Sequence, residues 1–155
     1  MDITAGAVSL EFERFVGEVE PRLRRALAGW LGTEGTRDAV AEAFAWAWEH
    51  WDRVVTLDNP AGYLYRVARS STRTRKQGAL PPPATLGIPD VEPALVPALA
   101  SLPERQRAAV WLVHGCGWTY AETAEAMDIS ASAVGTHVTR GLAALRTALE
   151  VEIDG

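Results

Sequence analysis

One cysteine, Cys116, stands in 155 residues, so no disulfide can form within the chain and a reduced cytosolic setting fits. No apolar run approaches the ~20 residues of a membrane span. The opening stretch MDITAGAVSLEFERF lacks a basic start followed by an apolar segment, so no secretory signal is read there. Alternation at strand period is missing, and no internal repeat is visible. There is no Gly-rich phosphate loop, no paired metal-ligand spacing and no nucleophile motif. The histidines, His50, His114 and His137, lie on different predicted helices, and Cys116 sits in a Gly-Cys-Gly turn without a base or metal partner nearby in sequence. These absences argue against a disulfide scaffold, a helical membrane protein and an enzyme. No metal or cofactor is expected.

What is present is an apolar fraction of 48%, enough to bury a core, and helical periodicity throughout. The expectation is all-α. The net charge of −5 is unevenly spread: Met1 to Gly78 holds 11 acids and 11 bases, Ala79 to Ala100 two acids and no base, and Ser101 to Gly155 seven acids and four bases. An electrostatic footprint for nucleic acid therefore falls in the first half.

In that half, Phe12, Phe15 and Val19 begin a helical pattern that Pro21 interrupts and Leu23, Leu27, Trp30 and Leu31 resume, which predicts two short helices or one kinked helix. Gly32 to Thr36 reads as a loop, with Thr36 capping the next helix. There, Val40, Phe44, Trp48 and Trp51 form an apolar stripe. Trp46 lies off it, as a second packing face or a partner surface. Asn59 and Pro60 are an N-cap and a first helical residue. The helix that follows carries Arg66, Arg69, Arg73 and Lys76 at steps of three, four and three, with Arg75, Ser70 and Tyr63 close by. No acid occurs between Tyr63 and Leu80, and an uncompensated basic face needs an anionic partner.

Six prolines, at 81, 82, 83, 89, 93 and 97, mark a linker. It divides the chain into 1–78, 79–97 and 98–155. The clearest stretch is Leu102 to Leu149. Ser101 with Glu104 around Pro103 predicts a capped helix start, Gly115-Cys116-Gly117 a stop, and Thr119 with Glu122 a second capping box. Asp128-Ile129-Ser130 is a tight turn, and Ser130 caps a last helix whose face is Val134, Val138, Leu142, Leu145 and Leu149. A short helix, a turn and a longer helix are the plan of a helix-turn-helix, which presents the last helix to the DNA major groove. The end of the chain after Leu149 is expected to fray.

The chain resembles the bacterial sigma-70 family, in its extracytoplasmic-function (ECF) group. The motifs are Asp38-Ala39-Val40-Ala41-Glu42-Ala43-Phe44-Ala45-Trp46-Ala47-Trp48 and Tyr63-Leu64-Tyr65-Arg66-Val67-Ala68-Arg69 for region 2. For region 4 they are Leu102-Pro103-Glu104-Arg105, Gly117-Trp118-Thr119-Tyr120, Ile129-Ser130 and Arg140 to Arg146. The resemblance implies a sigma factor that docks on the β′ clamp helices of core RNA polymerase through Asp38, Glu42 and Trp46, with Phe44 and Trp48 holding the domain together. It implies that Tyr63, Arg66, Arg69, Ser70, Arg73, Arg75 and Lys76, with the loop Val54 to Asn59, handle the −10 strand of promoter DNA. Ser132, Ala133, Gly135, Thr136, His137 and Arg140 then face the −35 element. An anti-sigma partner, a cytoplasmic location and a monomer, or a one-to-one complex, go with it. The sequence departs from the family at Ala41 and Ser70, at Asp128 in place of the turn glycine, and at Gly135 and His137 in place of bases. Two rivals remain. One is a sigma-like adaptor without promoter recognition. The other is a LuxR-type activator, suggested by Val134-Gly135-Thr136-His137-Val138.

Overall fold

The computed structural model describes the backbone of residues 3–75 and 94–154. In chain order the described elements are α1 (Ile3–Glu49), α2 (Trp51–Val54), α3 (Pro60–Arg75), α4 (Leu95–Ala100), α5 (Glu104–Val110) with a π-helical turn Trp111–Gly115, α6 (Tyr120–Met127) and α7 (Ala131–Asp154). No strand occurs among the described residues, so the all-α expectation holds. None of these helices is long and apolar enough to cross a membrane.

The helical segment α1 does not run straight. Its 47 residues laid end to end would hold Phe15 ~43 Å from Phe44, yet the two rings are 6.0 Å apart. Leu27 and Ala39 are buried in one core, so the chain reverses between them. The sequence placed a loop at Gly32 to Thr36; the reversal falls in the span that contains it, with the backbone in helical turns and not an open loop. Thr36 is buried and its hydroxyl has no partner among the described residues, so it caps nothing. Nor does Pro21 divide the helix. An interior proline costs ~3 kcal/mol, but Val19 and Leu23 on either side are buried, each contributing ~1.5–3 kcal/mol, and packing wins.

Rings close the far end of this unit. Phe12 meets Trp48 at 5.0 Å and Trp51 at 5.3 Å, and Phe15 meets Trp51 at 5.1 Å, all edge-on. Trp48, placed on the core stripe by its spacing, is half exposed: it touches Phe12 with one edge and leaves the rest to solvent. Leu64, Tyr65 and Ala68 of α3 complete the core against Leu23, Leu27, Ala43 and Ala47.

The second half is built on local bonds. Thr119 and Glu122 make the expected capping box, each bond 3.0 Å long. Ser130 Oγ accepts from the Ala133 amide at 3.1 Å. Asp128 closes α6 in the left-handed conformation at φ 56°. The Ser101 cap does not form. Pro103 takes the N-cap position of α5 without a side-chain bond, and Ser101 Oγ donates instead to the Ala98 carbonyl at 2.6 Å, finishing α4. That helix begins at Leu95, inside the stretch read as linker; Pro97 fits because it lies in the first turn, where no amide is needed. The stop at Gly115 to Gly117 forms through a widened turn, with Cys116 N–H bonded to the Trp111 carbonyl and Trp118 N–H to that of Leu112, both at 2.9 Å. Gly117, at φ 72°, supplies the positive φ that this stop requires. On α7, Val134, Val138 and Leu145 are buried and Leu142 and Leu149 half-buried, as the stripe predicts. The helix continues through Asp154.

The two halves are packed against each other. Leu112, Trp118 and Ala126 belong to the same buried cluster as the α1–α3 core. Trp118 stands edge-on to Tyr65 at 6.0 Å. Trp111 Nε1 donates to the Arg25 carbonyl at 3.0 Å, and Arg25 Nε to that of Gly115 at 2.9 Å. Gly29 lies so close to Trp111 that a β-carbon there would come within 2.7 Å of the ring.

Candidate nucleic-acid interface

Asn59 starts α3 as expected: its Oδ1 accepts from the Gly62 amide at 3.2 Å. Its Nδ2 reaches the Glu122 carbonyl of α6 at 3.4 Å, a link the sequence did not suggest. Just inside α3, Tyr63 joins an aromatic stack. Trp46 lies 5.4 Å from it, and His50 stacks on Trp46 at 4.2 Å and 16°. The guanidinium groups of Arg53 and Arg66 lie 5.3 and 5.9 Å from the Tyr63 ring. Trp46 is therefore a half-buried packing residue on a second face of α1. His50 follows Trp46 by one helical turn and so shares its face, while Arg53 joins the stack only through the tertiary structure. In the loop after α2, Val55, Thr56 and Asp58 are exposed and Asn59 is buried.

Two cations of the basic face, Arg66 and Arg69, are compensated. Arg66 lies 3.5 Å from Asp128, and Arg69 bonds to Glu104. Both acids belong to the second half, 62 and 35 positions away along the chain, which is why a local search for acids found none. Beside them, Arg107 has its pKa lowered, first by burial and then by Arg69, while Glu104 acts in the opposite sense. A third acid, Glu122, takes Arg22 at 2.8 Å. Its carboxyl is held below the usual range by the Thr119 amide first and the Arg22 side chain second. Such partly exposed pairs are worth ~0–1 kcal/mol each, whereas burying Leu112 fully is worth ~1.5–3 kcal/mol. Apolar packing therefore holds the halves together, and the ion pairs decide which faces meet. Ser70 is exposed at the rim of the same cleft. The side chains of Arg73 and Arg75, and all of Lys76, lie outside the described residues.

On α1, Asp38 is exposed and Glu42 half-buried, where it accepts from Ser71 Oγ at 3.1 Å. On α7, Ser132, Thr136 and Arg140 are exposed. Thr136 Oγ1 donates to the Ser132 carbonyl at 3.2 Å. Ala133, Gly135 and His137, expected to be exposed, are half-buried. His137 Nδ1 is buried without a partner among the described residues. Gly135 faces Tyr120, whose ring stands 3.4 Å from where a β-carbon would be. The 3.6-residue period carries these positions to the edge of the buried stripe. Burial pushes the Cys116 thiol up to about 12, so it stays protonated at neutral pH. No cluster of three or more metal-ligating side chains occurs among the described residues.

Residues 94–145 match the family model of sigma-70 region 4. Among solved structures, the fold is similar to the sigma factor RpoE in complex with the anti-sigma factor NepR from Bartonella quintana. That likeness has a TM-score of 0.71 and 23% identity over 91% of this chain and 98% of that one. It is similar also to CnrH in complex with the cytosolic domain of CnrY, with a TM-score of 0.71 and 24% identity over 95% of this chain and 94% of that one. No curated protein matches the chain by sequence. The region 4 match covers α4 to most of α7, and the structural likeness extends the sigma-factor fold to the first half.

Proposed function

We propose that the protein is a sigma factor of the ECF group, which binds core RNA polymerase and directs promoter-specific initiation. The observation that carries this reading is a region 4 match over 94–145 in a chain whose whole fold resembles a sigma factor. Residues 1–78 act as a region 2-like unit and 98–155 as the region 4-like unit, with 79–97 between them. Asp38 and Glu42 present carboxylates to the β′ clamp helices, with Trp46 behind them. On the −10 strand, Arg66, Arg69, Arg73, Arg75 and Lys76 neutralise phosphates, and Tyr63, Arg53 and His50 offer faces to unstacked bases. Ser132, Thr136 and Arg140 face the −35 duplex. The polymerase supplies the chemistry, and this chain supplies binding energy and position. It works in the cytoplasm, as a monomer or one-to-one with an anti-sigma partner; the complexes with NepR and CnrY motivate that partner class. Run-off transcription with purified core polymerase on a pool of promoter fragments tests the reading. Specific transcripts that depend on the protein are expected. Core binding without initiation at any promoter would leave the adaptor reading, which the absence of Lys and Arg from α7 before Arg140, its tenth residue, favours.

A further inference from the structure

We propose that the cleft between α3, the start of α5 and the end of α6 is a binding site for a nucleoside diphosphate. The site goes beyond the reading of the protein as a sigma factor and does not depend on it. The cleft holds about 550 Å³, within the ~300–1,000 Å³ of small-ligand sites. Its charged lining is Arg66, Arg69 and Arg105 with two acids, Glu104 and Asp128. Arg105 is exposed and makes no ion pair among the described residues. Arg66 Nη2 lies 3.5 Å from Asp128 Oδ2, long for a hydrogen bond, so the fork of N–H donors on Arg66 is open to a ligand. Beside Arg69 stands Arg107, whose pKa burial lowers first and the Arg69 charge second. Arg66, Arg69, Arg105 and Arg107 therefore crowd around Glu104 and Asp128. A phosphate group relieves that surplus of positive charge and accepts charge-assisted hydrogen bonds from guanidinium groups on both walls. Guanidinium groups converging from separate helices favour a terminal phosphate, with three oxygens to offer, over a phosphodiester, which offers fewer.

Phosphate alone does not explain the rest of the lining. The two carboxylates repel an anion, but they accept hydrogen bonds from sugar hydroxyls. The Asp128 side chain is 80% exposed, so its oxygens are within reach of such a donor. Below the charges, Ala108, Met127 and Ile129 give the cleft an apolar part. Its aliphatic and thioether groups suit the face of a nucleobase. Cations, acids and an apolar floor in one cleft match the phosphate, sugar and base of one ligand.

Isothermal titration calorimetry of the full chain at physiological salt tests the site, with ADP, pyrophosphate and adenosine as probes. ADP is expected to bind one-to-one and about tenfold tighter than either fragment. R105Q removes a cation at an exposed position and should weaken ADP about tenfold, the worth of one hydrogen bond to a charged group. S70E places a carboxylate at the exposed rim of the cleft, keeps a good helix former in α3, and should weaken ADP at least as much. Thermal melting without ligand checks that each variant folds; if one does not, the other decides. No saturable binding of ADP to the wild type overturns the site. ADP binding that neither variant changes puts the nucleotide elsewhere and overturns it equally. Pyrophosphate bound as tightly as ADP overturns the nucleoside diphosphate as the ligand class.

Discussion

From Phe12 to Tyr65 the helices are joined by rings and aliphatic side chains brought from far apart in the chain: Phe15 on Phe44, Phe12 on Trp51, Leu64 in a core with Leu23. From Ser101 to Leu149 the joints are local: the Thr119–Glu122 box, the Ser130 cap, the left-handed Asp128. The first half is a packed surface with an irregular backbone path, and the second is a framework of short, well-terminated helices. A helix-turn-helix must aim one helix at a fixed angle, and hydrogen-bonded caps set angles. In the first half, aromatic packing supplies the buried area instead. The comparison has a limit at the seam, where Leu112 and Trp118 of the framework complete the core of the packed unit.

The strongest way to break the contrast is at that seam. Leu112→Ala should cost ~2–5 kcal/mol and move one shared unfolding transition, followed by tryptophan fluorescence and circular dichroism in urea. Two transitions, only one of them shifted, would mean that the halves are independent. Next comes the crossing of α5 and α7. A β-carbon at Gly141 would lie 2.5 Å from Val110 Cγ2 and 3.3 Å from the Gln106 carbonyl. Gly141→Ala should destabilise by ~1–3 kcal/mol in the same assay.

A smaller effect concerns the box. The folded pKa of Glu122 is depressed, by the Thr119 amide and then Arg22. Its stabilisation is therefore complete above the unfolded carboxyl value, ~4.3, and is lost as pH falls through the lower folded value. E122Q should flatten the decline in urea midpoint between neutral pH and acid; an unchanged slope would sink this assignment. The smallest change is a gain. Gly135 sits in the same helix as Gly141 but meets only Tyr120 at ordinary contact distance. Gly135→Ala should therefore raise stability by up to ~1 kcal/mol, visible as a higher melting temperature.

The order of legibility follows the range of the bonds. As caps, Thr119, Glu122, Ser130, Asn59 and Asp128 act within four residues, and each forms the helix end that its spacing predicts. Ser101 fails because Pro103, also a good helix-starting residue, took the cap position and left the hydroxyl to the helix before it. The apolar face of α7 was readable because period alone sets it. Trp48 was misplaced because period names a face without saying how far the partner surface extends.

The sequence by itself determined that the chain is helical, where most helices start and stop, that α7 has a buried stripe, and that α3 carries the positive charge. Local sterics and hydrogen bonds decide these matters. Only the tertiary structure decided that α1 doubles back, that His137 turns a nitrogen inward, and that Arg66 and Arg69 meet Asp128 and Glu104. Those contacts join residues dozens of positions apart. Their geometry comes from how much apolar surface each helix can bury against the others, a property of the assembled core.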